Sequence, residues 1–132
     1  MKRISFNLRF ANNTGDDLIP GKIHTIRENY DYWKHFEGKE VALFTWKGKP
    51  YGKGSKQKVF CVKKIVSVQI IGYSLGSFYT TQERAIGTMI SINKITQNDG
   101  FKTVQGLRTW FSGYKSQVMA IIHFTDLRYY ED

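Results

Sequence analysis

Cysteine and proline are scarce in this chain, with one and two copies in 132 residues. A lone Cys61 excludes an internal disulfide framework and any cysteine-based zinc cluster. Set in the apolar run VFCV with no histidine close in sequence, it reads as a small buried hydrophobe rather than a reactive thiol. Long apolar runs are missing as well. None approaches the ~20 residues that cross a bilayer, and the start MKRISFNLRF lacks the apolar centre of a signal peptide. The expectation is a soluble, intracellular, cytoplasmic protein with no membrane partner. There is no Walker loop, no G-x-S-x-G elbow and no dinucleotide fingerprint, so no cofactor is expected. His24, His35 and His123 stand apart without metal-ligand spacing, so no metal site is expected either.

Acids are the other shortage: 11 Asp+Glu face 20 Lys+Arg, a formal charge of +9. The excess is local. Residues 1–38 carry six positive and five negative side chains, residues 39–64 eight and one, and residues 65–132 six and five. Within the middle stretch, WKGKPYGKGSKQK sets Lys47, Lys49, Lys53, Lys56 and Lys58 around glycines and a proline with no acid among them. Such a loop neutralises phosphate and releases condensed counterions whatever the base sequence. Interleaved Trp46, Tyr51 and Phe60 offer stacking surfaces, which favours nucleic-acid contact over a hairpin tip that serves solubility alone.

What remains is the composition of one folded domain, residues 1–132, at 41% hydrophobic and 15% aromatic, long enough to bury about two thirds of its unfolded surface. Residues 3–10 alternate strictly and predict one half-buried strand. Residues 12–21 are turn-rich. NYDYWKHF predicts a short helix capped by Asn29 and ended by Gly38. EVALFTW and KVFCVKKIVSVQII predict the two strands of a long hairpin around the lysine loop. Residues 72–89 suggest loops with at most a short hairpin. TVQGLRTWF predicts a helix capped by Thr103, with Val104, Leu107 and Phe111 on one face. QVMAIIHF, apolar on both faces, predicts a central covered strand. Trp33, Trp46 and Trp110 are expected at the core or at barrel ends, and His123 in the core or at its rim. The sum is an α+β domain: a mostly antiparallel β-barrel with two or three short flanking helices, an OB-fold being the runner-up.

GKIHTIR places Lys22, Thr25 and Arg27 within six residues. On an extended chain Thr25 and Arg27 share a face and Lys22 swings in from the preceding turn, while His24 points the other way and lines or backs the same cleft. An ammonium, a hydroxyl and a guanidinium gathered there suit an anionic or carbonyl-bearing ligand.

K-x-x-T-x-R after a turn, W-x4-G-K-E-V-A-L, the acid with Gly and Phe in ITQNDGF, L-R-T-W-F and a last strand ending IIHF together resemble the ASCH family of the PUA-like superfamily, over residues 18–125. That resemblance implies a PUA-like barrel with Lys22, Thr25 and Arg27 in its cleft and RNA or a modified nucleoside as the partner; no protein partner is inferred. A small bacterial branch of the family removes the acetyl group of N4-acetylcytidine with a lysine, a threonine and a carboxylate. Carried over, these roles fall on Lys22, Thr25 and Asp99, with Arg27 and His24 on the ligand. Two readings follow: an RNA-binding module, or an amidohydrolase in which Thr25 attacks or orients water.

Overall fold

A computed structural model describes residues 1–82 and 85–130. Eight strands and three α-helices are seen among them: β1 (Lys2–Ser5), β2 (His24–Arg27), α1 (Tyr30–Lys34), β3 (Glu40–Lys47), β4 (Lys56–Lys64), β5 (Ser67–Ser74), β6 (Ser77–Gln82), β7 (Ala85–Met89), α2 (Ile92–Asn98), α3 (Val104–Trp110) and β8 (Gln117–His123). The strands form two sheets, β1-β3-β4 and β2-β8-β5-β6-β7. All pairings are antiparallel except β1 with β3. The class is therefore α+β with mostly antiparallel sheet. No described helix is long and apolar enough to cross a membrane.

Strand β8 is central, as its pattern predicts: Met119 to Ile122 are completely buried, and β2 and β5 flank it. A strand buried on both faces cannot alternate polar with apolar residues. Helix α1 packs against β5 and β8. Asn29 caps it from a left-handed conformation (φ 68), its side chain accepting the Tyr32 N–H. Thr103 caps α3 by accepting the Gly106 N–H at 3.0 Å. Phe111 then packs edge to face on Phe78 at 5.4 Å, while the Tyr73 hydroxyl donates to its carbonyl.

Three sequence expectations about strands need correction. Residues 3–10 are not one strand. After Ser5 the Asn7 side chain accepts the Arg9 N–H and caps a 3-10 turn at Leu8–Phe10. A local side-chain bond has displaced the ladder, so Phe6 and Phe10 are buried while Leu8 is 73% exposed. The run from 58 to 71 is not one hairpin arm either. Its N–H groups change partner at the fully buried Ile65: Ile65 donates to Lys39 on the β3 side, and Val66 donates to His123 on β8. One apolar run thus serves both sheets. Residues 72–89 are largely strand rather than loop, β5 and β6 turning at Leu75 and Gly76 with φ of 49 and 81. Both central residues have positive φ, as in a type I′ hairpin, and a leucine there hides the turn from composition rules. Glu83 and Arg84, within that stretch, lie outside the described residues.

Cys61 is half-buried rather than enclosed, and partial burial pushes its thiol pKa up, against Lys63 pulling it down. It is a protonated side chain on a sheet.

Candidate functional site

Strand β2 lies antiparallel to β8 with His24 opposite His123 and Thr25 opposite Ile122. Just before it, the Ile23 N–H donates to the Asn98 carbonyl at 2.9 Å, and the Phe124 N–H donates to the Ile23 carbonyl at 3.1 Å. These bonds set the Lys22 end of the GKIHTIR segment against the C-terminus of α2. That terminus is a Schellman cap: Gly100 N–H reaches the Gln97 carbonyl and Phe101 N–H the Thr96 carbonyl, with Gly100 at φ 86. Such a cap requires a left-handed residue at this position. Glycine is needed for a second reason: a Cβ here would stand 3.0 Å from both Cβ and Cδ of Lys22. The NDGF motif therefore stops the helix and also opens the path along which the Lys22 stem reaches Asp99.

Lys22 Nζ donates to the Asp99 carbonyl oxygen at 2.7 Å and to its carboxylate Oδ1 at 3.3 Å. Both side chains are almost completely enclosed. The aspartate, one methylene shorter than a glutamate, makes the contact because the cap brings its backbone up to the lysine. Burial pushes the Lys22 pKa down, and Asp99 opposes that shift. The ammonium also lies 4.4 Å above the Phe10 ring, a cation–π contact.

Asp99 Oδ1 is shared with His24 Nδ1 at 3.0 Å, and His24 Nε2 lies 2.8 Å from the Tyr129 hydroxyl, to which Asn98 Nδ2 donates at 2.9 Å. One direction uses each proton once: Asn98 donates to Tyr129, Tyr129 to His24, and His24 to Asp99. Burial raises the Tyr129 pKa to about 12, which keeps the phenol proton in place for that bond. Tyr129 is held in turn by Gln69, whose side-chain amide donates to its carbonyl and accepts its N–H. His24 backs the site from this side and does not line the cleft. His123, fully buried beside it, donates from Nε2 to Gln69 Oε1 at 2.9 Å and leaves Nδ1 without a partner. Burial, reinforced by His24 and Arg128, holds its pKa down at about 3.

On the cleft side, Arg27 Nε donates to Thr25 Oγ1 at 3.2 Å, and Nη2 donates to the Ser5 carbonyl at 2.6 Å. The Phe6 ring stands between the two cations, 5.0 Å from Arg27 Cζ and 5.8 Å from Lys22 Nζ. Lys22, Thr25, Arg27 and Asp99 thus line one cleft of about 480 Å³. They do so as two bonded pairs, Lys22 with Asp99 and Thr25 with Arg27. The donors are Lys22, Arg27 and the Thr25 hydroxyl proton; the acceptor is the Asp99 carboxylate.

The lysine loop belongs to the same cleft, for Gly48, Pro50 and Tyr51 form part of its wall. It folds as two successive turns, Gly52 N–H to the Lys49 carbonyl and Ser55 N–H to the Gly52 carbonyl. Gly48 is required at φ 95, where a Cβ would meet Ser55 Oγ at 2.7 Å. Tyr51 is held at φ 59 and 88% exposed, its ring 4.9 Å from that of Trp46. Lys47, Lys49, Lys53, Lys56 and Lys58 are all exposed, and no salt bridge ties any of them to a carboxylate among the described residues. Trp46 and Trp110, expected at the core or at barrel ends, line the cleft, and Trp110 is 43% exposed. Sequence reasoning missed Phe6 and Phe10 beside the two cations and Gln69, Asn98 and Tyr129 behind His24. Asn98 adjoins Asp99 in ITQNDGF, whereas nothing near Tyr129 in sequence marks it. Among the described residues no three His, Cys, Asp or Glu side chains gather to hold a metal ion.

Compared with family models, with curated proteins and with solved structures, the chain matches none.

Proposed function

We propose that this chain is a cytoplasmic RNA-binding domain of PUA-like, ASCH type, with its two sheets as the walls of the barrel and a base or chain end held in the cleft. The observation that carries this reading is the shared wall: residues of the lysine loop border the cleft that Lys22, Thr25, Arg27 and Asp99 line. Exposed lysines on a loop whose Gly48, Pro50 and Tyr51 border the cleft suit phosphates, aromatic walls suit a planar base, and donors beside one carboxylate suit the mixed edge of a base. The hydroxyl of Thr25 favours binding over catalysis. A nucleophilic hydroxyl needs a base to take its proton. Its bond here comes from a donor, Arg27, so its own proton is free for a ligand acceptor.

The test is the salt dependence of binding to single-stranded RNA. Five loop lysines on phosphates give a log-log slope of about −3.5, and the triple variant Lys49→Gln, Lys53→Gln, Lys56→Gln leaves about −1.4. An unchanged slope, or no RNA bound at low salt, refutes the reading.

The second reading, an amidohydrolase acting on an N4-acetylcytidine-like nucleoside, is favoured by one observation. Lys22 is a buried amine whose pKa burial pushes down, against Asp99 pulling it up, and burial is what moves a lysine toward accepting a proton. Incubation with N4-acetylcytidine separates the two: cytidine released by the protein and not by its Lys22→Met variant establishes the enzyme. RNA binding without turnover establishes the reader.

A further inference from the structure

Trp110 borders two cavities. Besides the cleft, it lines a second, more open one of about 630 Å³ with Arg9, Thr103, Gln105, Gly106 and Thr109. Its indole, 43% exposed, packs edge to face on Phe10 at 5.6 Å and on Phe101 at 5.8 Å. Arg9 is exposed, and its guanidinium lies over all three rings at 5.4 to 5.8 Å from their centroids. No salt bridge neutralises it among the described residues. A cation spread on an aromatic platform, with amide and hydroxyl groups at its edge, provides a stacking plane for a base together with a charge for a phosphate.

We infer that this second cavity takes the nucleotide next to the one in the cleft, so that Trp110 stands between two successive nucleotides of a single strand. The inference rests on the RNA-binding reading and deepens it: the ligand is at least a dinucleotide, with one base in the cleft and its neighbour on Arg9 and Trp110. Continuity supports this occupant, since one indole forms a wall of both cavities and the cleft's rim already carries the phosphate-seeking loop. Gln105 and Thr109 supply donors and acceptors for the second base edge without contributing to the cleft.

Binding of cytidine 5′-monophosphate and of the dinucleotide cytidylyl-cytidine, followed by tryptophan quenching, tests it. One added stacked base strengthens binding by about 5- to 150-fold. Arg9→Gln combined with Gln105→Ala should return the dinucleotide to the affinity of the mononucleotide and leave the mononucleotide unaffected. Gln105→Ala alone, on an exposed helical surface, should give part of that loss in a protein whose fold is intact. A mononucleotide that binds while the dinucleotide gains nothing, or variants that weaken both ligands alike, overturns the second subsite and leaves the cleft reading standing. Failure of both ligands to bind overturns both.

Discussion

Replacing Asp99 by asparagine removes one charge from the centre of the site and little volume. Lys22, its side chain 2% exposed, then holds an ammonium with no carboxylate beside it. Breaking a buried pair by removing one partner costs about 3–5 kcal/mol. Two compensations remain here: the backbone carbonyl of residue 99, at 2.7 Å from Nζ, and the Phe10 ring at 4.4 Å. His24 also keeps an acceptor, since asparagine retains an oxygen. The lower end, about 3 kcal/mol, is therefore expected, a fall in Tm on the order of 10 °C for a domain of this size. The pH dependence identifies the cause. The folded-state pKa of Lys22 lies below its unfolded value already, and loss of Asp99, which raises it, lowers it further. The unfolded chain then binds more protons across a wider window, and stability rises with pH throughout that window. Urea unfolding followed by tryptophan fluorescence should show the gap between wild type and Asp99→Asn narrowing as pH is raised toward 10.5, the unfolded value of Lys22. The double variant Lys22→Met, Asp99→Asn, which buries no charge, should recover most of the loss. A single variant within about 1 kcal/mol of wild type, or a gap that stays constant with pH, refutes the account of Lys22 as a charge held by Asp99.

Gly100→Ala should cost more than Gly21→Ala, although both glycines have positive φ, 86 and 90. A Cβ at Gly21 meets nothing within 4 Å, whereas at Gly100 it meets the Lys22 stem at 3.0 Å. Gly21→Ala should lose about 1–2 kcal/mol from backbone strain, and Gly100→Ala should add displacement of Lys22 and weaker ligand binding. Equal melting temperatures would show that the stem yields freely. His123 titrates near 6.5 when unfolded and is held at about 3 when folded, so the unfolded state alone takes its proton below pH 6.5. Its contribution to stability is thus complete above pH 6.5 and is lost as pH falls toward 3, with a slope of up to about 1.4 kcal/mol per pH unit. Chemical denaturation between pH 7 and pH 5 should give a shallower slope for His123→Gln; identical slopes would place the titration elsewhere.

Local sequence determined several parts of this protein by itself. Asn29 and Thr103 cap their helices because a short polar side chain can take an N–H two or three residues on, a choice made within one turn of chain. The apolar β8 run could only be an interior strand, and the lysine-rich loop could only be exposed. The grouping of Lys22, Thr25 and Arg27 was legible because spacing on an extended chain sets which side chains share a face. Other features depended on partners distant in sequence. Where the 58–71 run changes sheets is decided at Ile65 by Lys39 on one side and His123 on the other, and no residue near Ile65 encodes either. Residues 3–10 keep a strand's alternation, yet the Asn7 side chain diverts them into a turn. Asp99 lies 77 residues from Lys22, and Tyr129 lies 105 from His24. Their contacts come from packing the end of α2 and the C-terminal segment against β2, and burial then lowers the proton affinity of Lys22 and His123. Spacing carries the geometry of one element, while desolvation and long-range pairing belong to the folded whole.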